Sequence, residues 1–180
     1  MLSEFEQLVG ATLKLLADFD YMIIGGVAAG VWGRPRYTQD VDIVIMLLSA
    51  EIDGFLVKAK QLGFRFTKEE WSRIAGGIGK LRWGSTNLDV ILALTEFEQN
   101  TLKRRRKIGL FGQEVFIISP EDLVLYKLIP RRAIDLIDIE HVIKNLGKEL
   151  DRRYLRKWAA KLSHDLSEPA IQKKLTELLK

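Results

Sequence analysis

The chain has 180 residues, of which 47% are hydrophobic and 29% charged, and its formal net charge is +4. Without cysteine it has no disulfides or thiolate metal sites, and two isolated histidines do not make a zinc site. The longest apolar stretch, 21–33, is broken by glycines and too short to span a bilayer, and the N-terminus lacks a signal-peptide pattern. We therefore expect an ordinary cytoplasmic protein without a membrane partner.

Hydrophobic spacing predicts an opening helix over 3–17, where Ser3 and Glu6 form a capping-box pattern. A short buried strand over 21–24 then turns at Gly25-Gly26 into a small-residue helix over 27–32. The elements predicted next are a strand over 40–47, a helix over 51–61, a hairpin of strands 80–83 and 88–94 with its turn at 84–87, a helix over 96–104, and a hairpin of strands 107–110 and 114–118.

The pattern changes at Ser119, which is followed by Pro120 and two acids in the manner of a capped helix start. From there to the C-terminus the spacing is helical throughout, over 121–129, 133–146, 151–162 and 168–179. We therefore expect an α/β (α+β) domain over 1–118 that carries a helical C-terminal extension over 119–180.

Asp40 and Asp42 lie in the second predicted strand. Because side chains two apart in a strand share a face, these carboxylates point one way while Val41, Ile43 and Ile45 point the other. Two neighbouring carboxylates repel unless a cation lies between them. Mg²⁺ is the simplest such cation, since it prefers oxygen ligands and bridges carboxylates to phosphates.

A glycine turn and a third acid extend this pattern. Gly25-Gly26 lets the backbone approach a ligand closely and directs helix N–H groups at an anion, although tight turns also use glycine for steric reasons alone. Asp89 lies in an apolar strand, where an unpaired buried carboxylate costs several kcal/mol. It is therefore expected to have a partner or a cation, unless it lies at a strand edge in water.

The spacing of these residues resembles the polymerase-β-type nucleotidyltransferase superfamily. The resemblance rests on Gly25-Gly26, thirteen intervening residues, Asp40-Val41-Asp42-Ile43 and the later Asp89. A narrower resemblance is to the AbiEii-type branch. It rests on Arg34 with Thr38 before Asp40, on the Ser119-Pro-Glu-Asp-Leu segment, and on the run from Arg132 to Asp138. That branch includes minimal nucleotidyltransferases and toxins of type IV toxin–antitoxin pairs.

The resemblance implies a nucleotidyltransferase-like mixed β-sheet flanked by helices, and a set of site residues. Asp40 and Asp42 would bind Mg²⁺ that bridges the nucleoside triphosphate (NTP), and Asp89 would complete a second metal site and help to activate the attacking hydroxyl. Two Mg²⁺ ions are expected, with Mn²⁺ as an alternative. Gly25 and Gly26 would hold the β- and γ-phosphates.

Further nucleotide-binding residues are expected because many relatives carry serine where this chain has Gly26, which offers only its N–H. Triphosphate binding would then depend more on cations, for which Arg34, Arg36 and Lys80 are candidates, with Thr38 beside the motif. Lys127 and Asp135 are expected to line the site, and Asp138 matches the same family element. The alternatives are surface arginines and ordinary helical ion pairs between Arg131 or Arg132 and Asp135.

The function expected is transfer of a nucleoside monophosphate (NMP) from an NTP to a hydroxyl. The acceptor is open between an RNA 3′ end, a protein side chain and a small molecule, and a toxin would also have an antitoxin partner. The five cations of 103–107 suit a polyanion or a solvated surface. The alternatives are an inert nucleotide-binding or interaction module with the same fold, and a structural protein in which Asp40 and Asp42 pair with arginines.

Overall fold

The computed structural model describes residues 3–180, apart from the side chain of Trp71. No helix in this part of the chain has both the length and the apolar character needed to cross a membrane. The helices are α1 Glu4–Leu16, α2 Gly25–Trp32, α3 Ile52–Gln61, α4 Lys68–Ala75, α5 Glu96–Arg104, α6 Pro120–Leu128, α7 Ala133–Leu146, α8 Arg152–Asp165 and α9 Ala170–Leu178. The strands are β1 Tyr21–Ile23, β2 Asp40–Ile45, β3 Ile78–Trp83, β4 Thr86–Leu92, β5 Arg106–Leu110 and β6 Gln113–Ile117.

The six strands form one mixed sheet in the order β3-β4-β2-β1-β6-β5. The pairs β2–β4 and β1–β6 are parallel, and the other neighbours are antiparallel. Val41, Ile43, Leu88 and Val90 are fully buried on one face, as the alternating pattern predicts. The predicted mixed α/β fold, a mixed sheet flanked by helices, is confirmed.

Two tight turns close the hairpins. Phe111 and Gly112 both have positive φ, at 48° and 73°, which is the backbone that a two-residue turn between twisted strands requires. The first hairpin turns at Gly84 and Ser85, because Trp83 pairs directly with Thr86. Strand β4 therefore begins two residues earlier than predicted and ends at Leu92 rather than at residue 94.

Helix α4 was not predicted from the sequence. It begins with a capping box in which the Thr67 side chain accepts a hydrogen bond from the Glu70 N–H, and the Glu70 carboxylate accepts one from the Thr67 N–H. The helix packs on β3 through Ile74, which is fully buried. A Cβ at Gly79 would lie 1.9 Å from Ile74 Cγ1, so only glycine allows this close approach.

The chain packs as two compact units. The first contains Met1–Val27 and Tyr37–Ile118, which include the whole sheet with α1, α3, α4 and α5. The second contains Ala28–Arg36 and Ser119–Lys180, where α6 to α9 bury apolar residues such as Leu128 and Leu155. Because compact packing alone does not define a folding domain, the division of the chain into 1–118 and 119–180 stays a prediction.

The close contact between Gly79 and Ile74 can be tested by Gly79→Ala. The added methyl group would force α4 away from β3, and we expect a loss of about 1–3 kcal/mol in the free energy of unfolding, measured by urea denaturation. Gly54→Ala in α3 is the matched control, since a Cβ there meets nothing within 4 Å. A Gly79→Ala protein as stable as the control would contradict the proposed packing.

Candidate active site

The pairing register arranges nine side chains of β3, β4 and β2 in three rows on one face of the sheet. Neighbouring residues in a row are paired across strands, and successive rows are two residues apart along each strand. The apolar row is Ile78, Ile91 and Val44, the charged row is Lys80, Asp89 and Asp42, and the polar row is Arg82, Asn87 and Asp40. Thus the register brings Asp40, Asp42, Asp89 and Lys80 to one place.

Lys80 is the cation of this face. Its Nζ lies 3.0 Å from Asp89 Oδ1, and its side chain is 44% exposed. Burial lowers the pKa of Lys80, but the contact with the Asp89 carboxylate and the charges of Asp89, Asp40 and Asp42 outweigh it, so that the pKa is raised. The ammonium group is therefore held within the field of all three carboxylates.

Asp89 has a raised pKa and, within the described part of the chain, one oxygen without hydrogen-bond geometry. Burial raises its pKa, the contact and charge of Lys80 lower it, and the charge of Asp40 raises it further, with a net upward shift. Its Oδ1 is screened from solvent and, within residues 3–180, receives no contact with hydrogen-bond geometry. The expectation that Asp89 has a partner is met by the ion pair with Lys80, whose ammonium group lies 3.0 Å from this same oxygen.

Asp42 lies against the glycine turn. A Cβ at Gly25 would be 2.0 Å from Asp42 Oδ2, and Gly25 has a φ of 63°. Both observations require glycine at this position. The Ile24 N–H donates to the Asp42 carbonyl at 2.8 Å, which fixes the turn to β2. Gly26 is buried in the first turn of α2.

Asp40 is oriented by a side chain that sequence reasoning missed. Asn87 Nδ2 donates to Asp40 Oδ1 at 2.9 Å, and Thr38 Oγ1 donates to the Asp40 carbonyl at 3.2 Å. Across residues 3–180, no group of three or more Asp, Glu, His or Cys side chains is arranged to hold a metal ion. The predicted metal site therefore stays a prediction, with Asp40 turned to Asn87 and Asp89 to Lys80.

The second unit holds a separate buried cluster of charges. Lys127 Nζ lies 3.1 Å from Asp135 Oδ1 and 2.8 Å from Asp138 Oδ2, and these three side chains are only 7%, 2% and 5% exposed. Arg36 donates to both oxygens of Asp138 at 3.1 Å, and Arg132 Nε donates to Asp135 Oδ2 at 2.7 Å. Each carboxylate therefore has two cationic partners.

These contacts bear on several predicted site residues. Lys127 and Asp135 are paired with each other inside the helical unit, and Arg34 is exposed in the segment that packs with it. Their predicted roles in nucleotide binding stay predictions. The predicted alternative of a helical ion pair between Arg132 and Asp135 is present, whereas Arg131 pairs with Glu168.

A family model described as "Nucleotidyltransferase of unknown function (DUF6036)" matches residues 2–177. The chain belongs to this family. The general resemblance to nucleotidyltransferases is thereby confirmed for this DUF6036 protein, while the narrower resemblance to the AbiEii-type branch stays a prediction.

Solved structures of nucleotidyltransferases share the fold of this DUF6036 protein. ANT(2″)-Ia in complex with adenylyl-2″-tobramycin is 17% identical, with a TM-score of 0.62 over 88% of this chain and 97% of that chain. An antigenic nucleotidyltransferase-like protein from Paracoccidioides brasiliensis is 21% identical, with a TM-score of 0.55 over 98% and 93% of the two chains. The lincosamide adenylyltransferase LnuA, lincomycin-bound, is 16% identical, with a TM-score of 0.56 over 76% and 94%.

At these identities the structural likeness shows the fold alone. The comparison with curated protein sequences found no match.

The buried cluster predicts how stability depends on pH. Burial raises the pKa of Asp135, but Arg132 and Lys127 hold it below its ordinary value of 3.8. Since the folded-state pKa is the lower one, the ionised carboxylate stabilises the fold above about pH 3.8, and this contribution is lost as the pH falls through the lowered pKa.

We therefore expect Asp135→Asn to lower the free energy of unfolding by about 3 kcal/mol at neutral pH, since it leaves Lys127 short of a counter-charge. The deficit relative to wild type should shrink as the medium becomes acidic, measured by urea denaturation across a pH series. Asp165→Asn is the control, because Asp165 pairs with Lys161 on the surface at 46% exposure and should matter little. A deficit that does not change with pH would contradict this account.

Proposed function

We propose that this protein is a metal-dependent nucleotidyltransferase that transfers an NMP from an NTP to a hydroxyl acceptor. The family supports nucleotidyl transfer in general. The observation that carries the proposal at this site is the charged row of Lys80, Asp89 and Asp42, which lies beside a glycine turn. Carboxylates and a cation next to a glycine turn have the charges and the access that a triphosphate and its counterions need.

The three carboxylates of this face supply the oxygen donors that a divalent metal prefers, and a bound metal would replace the present contacts of Asp40 with Asn87 and of Asp89 with Lys80. Asp42 and Asp89 face each other across parallel strands, and Asp89 Oδ1 accepts no hydrogen bond from the described part of the chain. Asp40, Asp42 and Asp89 would hold Mg²⁺, with two ions expected and Mn²⁺ as an alternative. When bound, the metal neutralises charge on the phosphate oxygens and orients the triphosphate.

The chain's own residues would bind both substrates and move one proton. Gly25 and Gly26 direct their N–H groups at phosphate oxygens, and Lys80 adds a positive charge. The acceptor oxygen forms a bond to the α-phosphorus as the bond from that phosphorus to the bridging oxygen breaks, so that pyrophosphate leaves with the electron pair. Asp89 takes the proton of the acceptor hydroxyl.

Small-molecule acceptors have some support from the structural relatives. One relative is seen with adenylyl-2″-tobramycin and another with lincomycin, and both compounds are small. The RNA and protein acceptors, the toxin role, the antitoxin partner and the AbiEii-type relationship rest on the sequence resemblance. The roles of Arg34, Thr38, Lys127 and Asp135 in nucleotide binding also belong to this proposal and follow from the same resemblance.

The metal and nucleotide site is tested by Asp42→Asn, which keeps the shape of the side chain and removes its charge. We expect wild type to bind at least one of ATP, GTP, CTP and UTP in a Mg²⁺-dependent way, and the variant to bind it roughly tenfold or more weakly, measured by calorimetry. The matched control is Asp53→Asn on the exposed side of α3, which should bind as wild type does.

Turnover is tested by following label from the α-phosphate of each NTP into a cell extract. Transfer that requires Mg²⁺ and is lost in Asp42→Asn supports the proposal. Nucleotide binding that responds neither to Mg²⁺ nor to Asp42→Asn would remove its basis. Binding without transfer to any acceptor would favour the inert-module alternative.

A further inference from the structure

The apolar row lies directly beside the charged row. Ile78 and Ile91 are paired across β3 and β4, two residues from Lys80 and Asp89 on the same strands. Ile78 is 67% exposed, although a branched apolar side chain gains from burial. The face that presents the carboxylates thus also presents an uncovered apolar surface at its end.

A cavity of about 360 Å³ covers the junction of these two rows. Its floor includes Ile78, Gly79 and Ile91, and Lys80, Asp42 and Asp89 form one end. Glu70 and Arg73 of α4 form a polar rim on the other side. This volume lies at the lower end of the range for small-molecule sites.

Helix α4 is fixed against β3, with its apolar contact on the face opposite the charged row and with Glu70 and Arg73 reaching the cavity at the edge of the sheet. Its buried Ile74 lies against Gly79, where no Cβ fits, and its Glu70 forms an ion pair with Arg82 of β3. The apolar floor and the polar rim are therefore built from two elements that are packed and ion-paired. They bound this recess on the side of β3, and it stays open to solvent at Ile78.

The order of the strands separates this cavity from the glycine turn. Gly25 follows β1, on one side of Asp42, whereas the cavity floor belongs to β4 and β3, on the other side. In an in-line displacement the attacking and leaving oxygens lie on opposite sides of the phosphorus. If pyrophosphate leaves on the side of Gly25, the attacking hydroxyl comes from the side of the cavity.

We propose that this cavity is the acceptor subsite, and that the acceptor is a small molecule with a hydroxyl on an apolar framework. This inference rests on the proposed nucleotidyl transfer. The hydroxyl lies beside the Asp89 carboxylate, and the framework covers Ile78 and Ile91. During transfer the hydroxyl oxygen bonds to the α-phosphorus, its proton passes to Asp89, and pyrophosphate departs.

The charge distribution favours this acceptor over RNA. Apart from Asp42 and Asp89, which are proposed to hold the metal, the lining carries Glu70 against Arg73 and Lys80, which gives little attraction for a polyanion. In the basic run, two of the cations are already paired. Arg105 binds Asp20 at 2.7 Å, and Lys107 binds Glu114 at 2.7 Å.

The test is Ile78→Trp, which fills the recess from an exposed position and should not disturb folding. Val57→Trp on α3 is the matched control, since Val57 is also branched and 55% exposed but lies away from the cavity lining. The probe is α-labelled NTP added to three fractions of a bacterial extract, namely a metabolite filtrate, purified RNA and protein. Ile78→Ala is a second variant in case the tryptophan alters folding, which circular dichroism and thermal unfolding would reveal.

We expect label in the metabolite filtrate, reduced roughly tenfold or more by Ile78→Trp and unchanged by Val57→Trp, while NTP binding is the same in all three proteins. Ile78→Ala should raise the KM for the labelled acceptor without changing the KM for NTP. Label in RNA or protein instead, or label in the filtrate that neither Ile78 variant affects, would overturn the acceptor inference and leave the proposed transfer standing. Absence of label from every fraction, with or without NTP binding, would overturn both the acceptor inference and the proposed nucleotidyl transfer.

Discussion

The pairing register between β2, β4 and β3 is the constraint on which the site depends. Successive side chains of a strand point to opposite faces, so a slip of one residue would turn every buried side chain outward. Val41, Ile43, Leu88, Val90 and Leu81 are all fully buried on the other face and resist such a slip. The hydrophobic contacts that form the core therefore also place Asp42, Asp89 and Lys80 side by side.

The charged side chains of the two compact units are compensated by partners to different extents. In the helical unit, Lys127, Asp135 and Asp138 are almost inaccessible to solvent, and each carboxylate has two cations, so the arrangement is electrostatically satisfied. On the sheet face, three carboxylates lie within the field of Lys80, and one oxygen of Asp89 accepts no hydrogen bond within residues 3–180. An incompletely compensated group at an accessible face is the arrangement expected where a ligand completes the set.

Much of this site follows from local sequence, but its cross-strand contacts do not. The period of a strand is enough to place Asp40 and Asp42 on one face. It does not give their alignment with Asp89, because β2 and β4 are separated by a long crossover and pair through tertiary packing. The contact between Lys80 and Asp89 depends on the length of the turn between β3 and β4. A turn over 84–87 would pair Lys80 with Ile91, whereas the observed two-residue turn pairs it with Asp89.

The distinction between local sequence signals and tertiary contacts also explains which other features the sequence did not predict. The Thr67 to Glu70 capping box was a local signal for α4 that the prediction overlooked, and with it Glu70 and Arg73 were missed. The sequence predicts Asn87 in the turn, but it pairs with Asp40 because β4 begins at Thr86. The packing of residues 28–36 with the helical unit has no local signal, since it depends on contacts such as that of Arg36 with Asp138, 102 residues apart.

The outermost strands of the sheet, β3 and β5, have consequences for self-association. An edge strand leaves backbone N–H and C=O groups that can pair with another molecule. Here β3 carries Lys80 and Arg82, and β5 carries Arg106 and Lys107. On β3 part of this edge is already occupied, because Arg65 and Arg82 exchange both backbone hydrogen bonds at 2.8 Å, and this pairing opposes the addition of a strand from a second molecule at that point.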